Sequence, residues 1–142
     1  MASIRKEILI DATPEQVWAA IRDVGAVHRR LLPGYVVDVR LEDDIRILTF
    51  PGGSVARELI VDVDDESRRL AYAVVEGRMA LQHHHASFQV FAEGARRTRL
   101  VWITDLLPNE FTAETRARVE RGAAVMKETL ENHARQASAG GD

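Results

Sequence analysis

Hydrophobic and polar positions along this chain change their period twice, and the changes mark out the architecture. From Ser3 to Asp11 apolar and polar residues alternate (Ile4, Ile8 and Ile10 against Arg5, Glu7 and Asp11), which predicts a half-buried strand. Thr13-Pro14-Glu15-Gln16 then supplies a capping box with proline at the first helical position, so a helix follows with Val17, Trp18, Ile21 and Val24 on its apolar side. Gly25 stops it, and a short second helix through His28 and Leu32 ends at Pro33-Gly34. From Tyr35 the period is two. Tyr35, Val37, Val39 and Leu41 form one face, and the strands Ile45–Phe50, Val55–Val63, Arg69–Glu76, His83–Phe91 and Thr98–Leu107 follow, separated by turn residues.

After Pro108 the period returns to 3.6. Thr112 is the expected cap, and Val119, Ala123, Met126, Leu130 and Ala134 make one apolar stripe on a helix of about 25 residues, ~38 Å long at the standard rise. The predicted order is β-α-α-β6-α, an α+β fold. Strands joined as hairpins give a seven-stranded antiparallel sheet, and twist curls such a sheet around a helix laid in its concave side. That geometry leaves room between helix and sheet. Gly122 in mid-helix costs about 1 kcal/mol relative to alanine, which either close helix–sheet packing or space for a ligand would explain.

Composition narrows the function classes. With 142 residues, 46% of them hydrophobic and 29% charged, the chain is expected to form one domain over residues 1–136, followed by a flexible tail at 137–142. A net charge of −3 gives no reason to expect a nucleic-acid partner, and Arg29-Arg30, Arg68-Arg69 and Arg96-Arg97 are interspersed with acids as a solvated skin. No apolar run is long enough for a membrane span or a signal peptide, so a cytoplasmic protein is expected. The absence of cysteine removes disulfides and thiolate chemistry.

Several strings resemble the SRPBCC, or START-like, superfamily, and within it the bacterial polyketide cyclase/dehydrase families. They are Ile8 through Trp18, Leu48-Thr49-Phe50-Pro51-Gly52-Gly53 followed by Arg57-Glu58-Leu59, and Asp64-Asp65-Glu66 leading to Leu70–Gly77. The last is similar to the same region of birch-pollen-allergen-like domains of the abscisic-acid-receptor type. The resemblance covers nearly the whole chain and implies a helix-grip fold around an internal cavity. It places Phe50-Pro51-Gly52-Gly53 and Met79-Ala80-Leu81 at the cavity rim, and Glu58, Tyr72, Val74, Leu81, His84 and Ala86 toward a ligand. Only Leu81 remains of the receptors' His-Arg-Leu string, which argues against their signalling role.

Alternation puts Ala56, Glu58 and Ile60 on one face of their strand. Buried and unpaired, Glu58 would be an acid–base group of raised pKa; paired with Arg46, it would only order the sheet. His84 shares a face with Ala86, Phe88 and Val90, as a ligand contact or a proton carrier. Tyr72 would supply wall and a hydroxyl, and Trp102 either cavity floor or core. His83-His84-His85 cannot converge on one ion, because strand neighbours point to opposite faces. No metal or organic cofactor is expected.

The expected function is binding of a hydrophobic small molecule (a lipid, isoprenoid or aromatic polyketide-like compound). The expected wall is Val37, Ile47, Ala56, Val74, Phe88, Trp102, Val119, Gly122 and Met126. The alternatives are an enzyme of cyclisation or dehydration using Glu58, His84 and Tyr72, and an interaction or sensor module without turnover. The chain would act as a monomer or homodimer.

Overall fold

The computed structural model describes residues 1–140. Its elements run β1 (Ala2–Ile10), α1 (Pro14–Arg22), α2 (Val27–Arg30), β2 (Asp38–Glu42), β3 (Ile45–Thr49), β4 (Val55–Asp64), β5 (Arg69–Glu76), β6 (His83–Ala92), β7 (Thr98–Leu107) and, after one 3-10 turn at Asn109–Phe111, α3 (Thr112–Gly140). All seven strands join one antiparallel sheet in the order β1-β7-β6-β5-β4-β3-β2. This is the helix-grip arrangement: a long C-terminal helix held by a sheet, with two short helices after the first strand.

Local chemistry explains most boundaries. Thr13 accepts a hydrogen bond from the Gln16 amide while the Gln16 side chain accepts one from the Thr13 amide, a reciprocal cap that starts α1. Trp18 anchors the same helix, its indole N–H donating to Asp65 at 2.8 Å across the β4–β5 turn. In β4 one extra residue falls between the pairs Ile60–Tyr72 and Asp62–Ala71, a bulge that bends the strand.

The stripe on α3 packs as its spacing predicts: Val119, Ala123, Met126 and Leu130 are all buried. Lys6 on β1 pairs with Glu120 at 2.8 Å, and the Asp11 amide donates to Glu131 at 2.9 Å, tying the helix to the first strand. Main-core residues come from α1, α2, the inward sheet face and α3, among them Ile10, Ile21, Val36, Leu70, Leu100 and Met126.

Three boundaries differ from the sequence reading. Thr112 does not cap α3 by accepting from its amides; its hydroxyl donates to the Asn109 carbonyl at 2.6 Å, and the 3-10 turn leads into the helix. The helix runs through Ala137–Gly140, where a flexible tail is expected from composition; Gly141 and Asp142 lie outside the described residues. Finally, the strand expected from Tyr35 begins at Asp38. Residues 32–36 instead close a turn, with the Val36 amide donating to Leu32 O, and this reverses which valine faces inward.

Candidate ligand cavity

Between the sheet and α3 lies a cavity of about 360 Å³. Leu48, Phe50, Ala56, Tyr72, Val74 and Trp102 wall it from the sheet, and Thr115, Val119 and Gly122 from the helix. Glu76, Gly77 and Arg78 line it and are exposed, which puts its mouth at the β5–β6 connection. Opposite, Phe50 leads into the β3–β4 loop, where Gly52 and Gly53 hold φ of +93° and +95°. The Arg78 guanidinium sits 4.1 Å from the centre of the Phe50 ring, so the two expected rim loops touch each other. A second hollow, between α1, α2 and α3, mixes charged and polar side chains such as Glu15, Arg30 and His133 with alanines and Leu130, and no aromatic residue lines it.

Most expected wall residues line the first cavity: Phe50, Ala56, Val74, Met79, Leu81, Trp102, Val119 and Gly122, together with Glu58, Tyr72 and His84. Three do not. Val37 is half exposed, because the turn before β2 sends Val36 inward in its place. Ile47 is buried but faces away from the cavity: its neighbours Arg46 and Leu48 point inward, and a strand gives each face every second residue. Pro51 is exposed on the rim loop and does not line the hollow. Ala86, Phe88 and Met126 are packed core and do not line the cavity. Phe88 stacks on Trp102 with ring centres 4.7 Å apart and on Tyr72 at 6.1 Å, fixing both aromatic walls from behind.

Glu58 is buried and paired. Arg46 stands directly opposite on β3, donates from Nε to Glu58 Oε1 at 2.9 Å, and forms an ion pair with the same oxygen, Nη2 lying 2.7 Å away. The unpaired, acid–base version of Glu58 is thereby replaced by an ion pair set into the wall. The same guanidinium lies 5.4 Å from the centre of the Tyr72 ring. Tyr72 is held protonated, its pKa raised first by burial and then by the Glu58 carboxylate. His84 moves the other way. Burial, then the fields of His83, Arg118 and His85, push it down to about 4, so its imidazole is neutral at pH 7. His83 is exposed, and among the described residues no group of three or more His, Cys, Asp or Glu side chains is placed to hold a metal ion.

Other lining residues escape the sequence reading. Leu32, Tyr35 and Val36 come from the turn after α2, and Leu48 follows once Arg46 is known to face Glu58. Arg118 was findable: with Thr115, Val119 and Gly122 it falls at three- and four-residue spacing on the side of α3 that carries the apolar stripe. Its Nε is buried without a hydrogen-bond partner, and so is Trp102 Nε1. Gly122 resolves in favour of close packing and still borders the cavity: a Cβ there would lie 3.2 Å from Trp102 Cη2.

Comparison with known proteins agrees with this geometry. A search of curated proteins finds no match. Among solved structures the chain is similar to XoxI from Bacillus cereus (20% identity, 94% of this chain and 96% of that one, TM-score 0.80). It is also similar to an aromatase/cyclase from a Streptomyces species (21% identity, 98% of both chains, TM-score 0.75). A third is norcoclaurine synthase from Thalictrum flavum, solved with dopamine and hydroxybenzaldehyde (21% identity, 95% and 87%, TM-score 0.74). At such identities these likenesses speak for the fold alone. No helix of the described residues is long and apolar enough to cross a membrane. The family described as polyketide cyclase / dehydrase and lipid transport matches residues 1–138, and with a helix-grip fold closed over a mainly apolar cavity, this chain belongs to that family.

Proposed function

We propose that this protein binds an apolar small molecule, of the lipid, isoprenoid or aromatic polyketide-like kind, in the cavity between sheet and α3. The observation that carries the reading is a hollow of about 360 Å³ whose wall is mainly aliphatic and aromatic and whose polar groups are few and fixed. Family membership supports the same class of ligand. Burial of the ligand's apolar surface supplies the driving force at roughly 25 cal/mol per Å².

Binding is favoured over turnover by the state of the three candidate proton carriers. A general acid or base works best with a pKa near the operating pH. Tyr72 is pushed up and His84 down to about 4, both away from neutrality, and Glu58 is tied to Arg46. Native mass spectrometry of freshly purified protein tests the proposal. A co-purifying apolar molecule, displaced when Gly122 is replaced by leucine, is the expected result; failure of every apolar compound to bind would overturn it.

A further inference from the structure

Among the described residues, buried side-chain nitrogen or oxygen atoms without a hydrogen-bond partner are three: His28 Nδ1, Trp102 Nε1 and Arg118 Nε. Two of them belong to residues that line the cavity. Both are donors that cannot accept, and an unmet buried donor costs about 1–3 kcal/mol. The six-membered ring of Trp102 faces Gly122, and Arg118 lies one helical turn before Gly122 on α3.

Among the acceptors nearby, the Tyr72 hydroxyl lies within reach of the Trp102 indole, and Glu58 Oε1 accepts from Arg46 Nε at 2.9 Å. Glu114 receives the Arg118 Nη2 at 3.1 Å on the outer side of the helix, while Glu76, exposed at the mouth, makes only a long 4.0 Å ion-pair contact with Arg57. On the cation side, Arg78 also lines the mouth, and His84 beside Arg118 is neutral. The cavity therefore offers spare N–H donors and two guanidinium groups, with its one deep carboxylate already neutralised.

We infer that the ligand is an oxygen-bearing apolar acid, with an anionic oxygen (a carboxylate or enolate) received by Arg118 and a carbonyl or ether oxygen received by the Trp102 indole, and that the site discriminates against amines. This rests on the proposed binding role and names the ligand's chemistry within it. An anionic oxygen on a guanidinium N–H is the stronger, charge-assisted kind of hydrogen bond. An ammonium would meet two guanidinium groups and no free deep carboxylate, a desolvation cost with no return.

The test uses three probes of one shape: naphthoate, naphthylmethanol and naphthylmethylamine, titrated into the full-length protein by calorimetry. The Trp102 indole N–H resonance, assigned with Trp102→Phe, is followed in parallel. Naphthoate should bind roughly ten-fold or more tightly than the alcohol, with the amine weakest. The indole resonance should shift downfield with naphthoate and with the alcohol. Arg118→Gln should remove the preference for the acid over the alcohol, and Arg118→Lys, which keeps the charge, should restore part of it. Equal binding of all three probes, or an acid preference that survives Arg118→Gln in a folded variant, overturns the inference while the binding role stands. If none of the probes binds, the cavity reading falls and takes the inference with it.

Discussion

Arg46 and Glu58 face each other across the β3–β4 pairing, with Nη2 and Oε1 2.7 Å apart and less than a tenth of either side chain exposed. Such a pair is costly to break and cheap to replace, because removing one partner strands a buried charge. We expect Arg46→Leu and Glu58→Leu each to lose about 3–5 kcal/mol of stability, and the double variant to recover most of it. Urea unfolding of the four proteins is the measurement. A double variant as unstable as the sum of the singles would contradict the assignment.

His84 makes stability depend on pH in a defined window. Its folded-state pKa of about 4 lies below the ordinary 6.5, so between those values the unfolded chain binds the extra proton. The contribution is whole above pH 6.5, drains away as pH falls toward 4, and is gone once both states are protonated. At about 1.4 kcal/mol per pKa unit the loss amounts to at most roughly 3 kcal/mol, and solvent screening at the part-exposed ring reduces it further. His84→Gln should flatten the melting temperature between pH 6.5 and pH 4.5. An unchanged slope in that variant would mean other groups cause it.

Gly122 separates packing from volume. Alanine gains about 1 kcal/mol of helix propensity but brings a methyl to 3.2 Å from the Trp102 ring, so Gly122→Ala should leave the melting temperature nearly unchanged while shifting the indole resonance. Leucine at the same place fills the hollow. Gly122→Leu should stay folded, at a cost of about 1–3 kcal/mol, and lose ligand affinity by at least an order of magnitude. Undiminished binding in that variant would place the ligand elsewhere.

The first helix offers a check on local structure. Thr13→Ala removes the hydroxyl that accepts from the Gln16 amide and should cost about 1 kcal/mol in chemical denaturation, with ligand affinity intact. A change in affinity without a change in stability would point to an unforeseen link between α1 and the cavity.

Much of the fold was legible because period and punctuation agree. The capping box at Thr13, the seven alternating segments and the α3 stripe each state their element locally. Two of the misplaced wall residues, Val37 and Ile47, share a cause in parity. Val37 and Ile47 were assigned by hydrophobicity, yet a strand's facing is decided by its partner: once Arg46 is paired with Glu58, Ile47 must face away. Parity near Tyr35 was hidden because the turn at residues 32–36 interrupts the count. The cavity's donors were harder still. Nothing in a sequence says that an arginine at the margin of an apolar stripe will have its Nε left unmatched, since that depends on where the opposite wall stops.

The strand order has a consequence for the life of the chain. β1 closes against β7, and the helix that roofs the hollow follows all seven strands in the chain. Without that helix the sheet is an open greasy gutter, and the chamber exists only while α3 lies upon it. Cargo that touches both the gutter and the roof holds α3 in place, so a loaded molecule resists fraying and proteolysis along that helix more than an unloaded one.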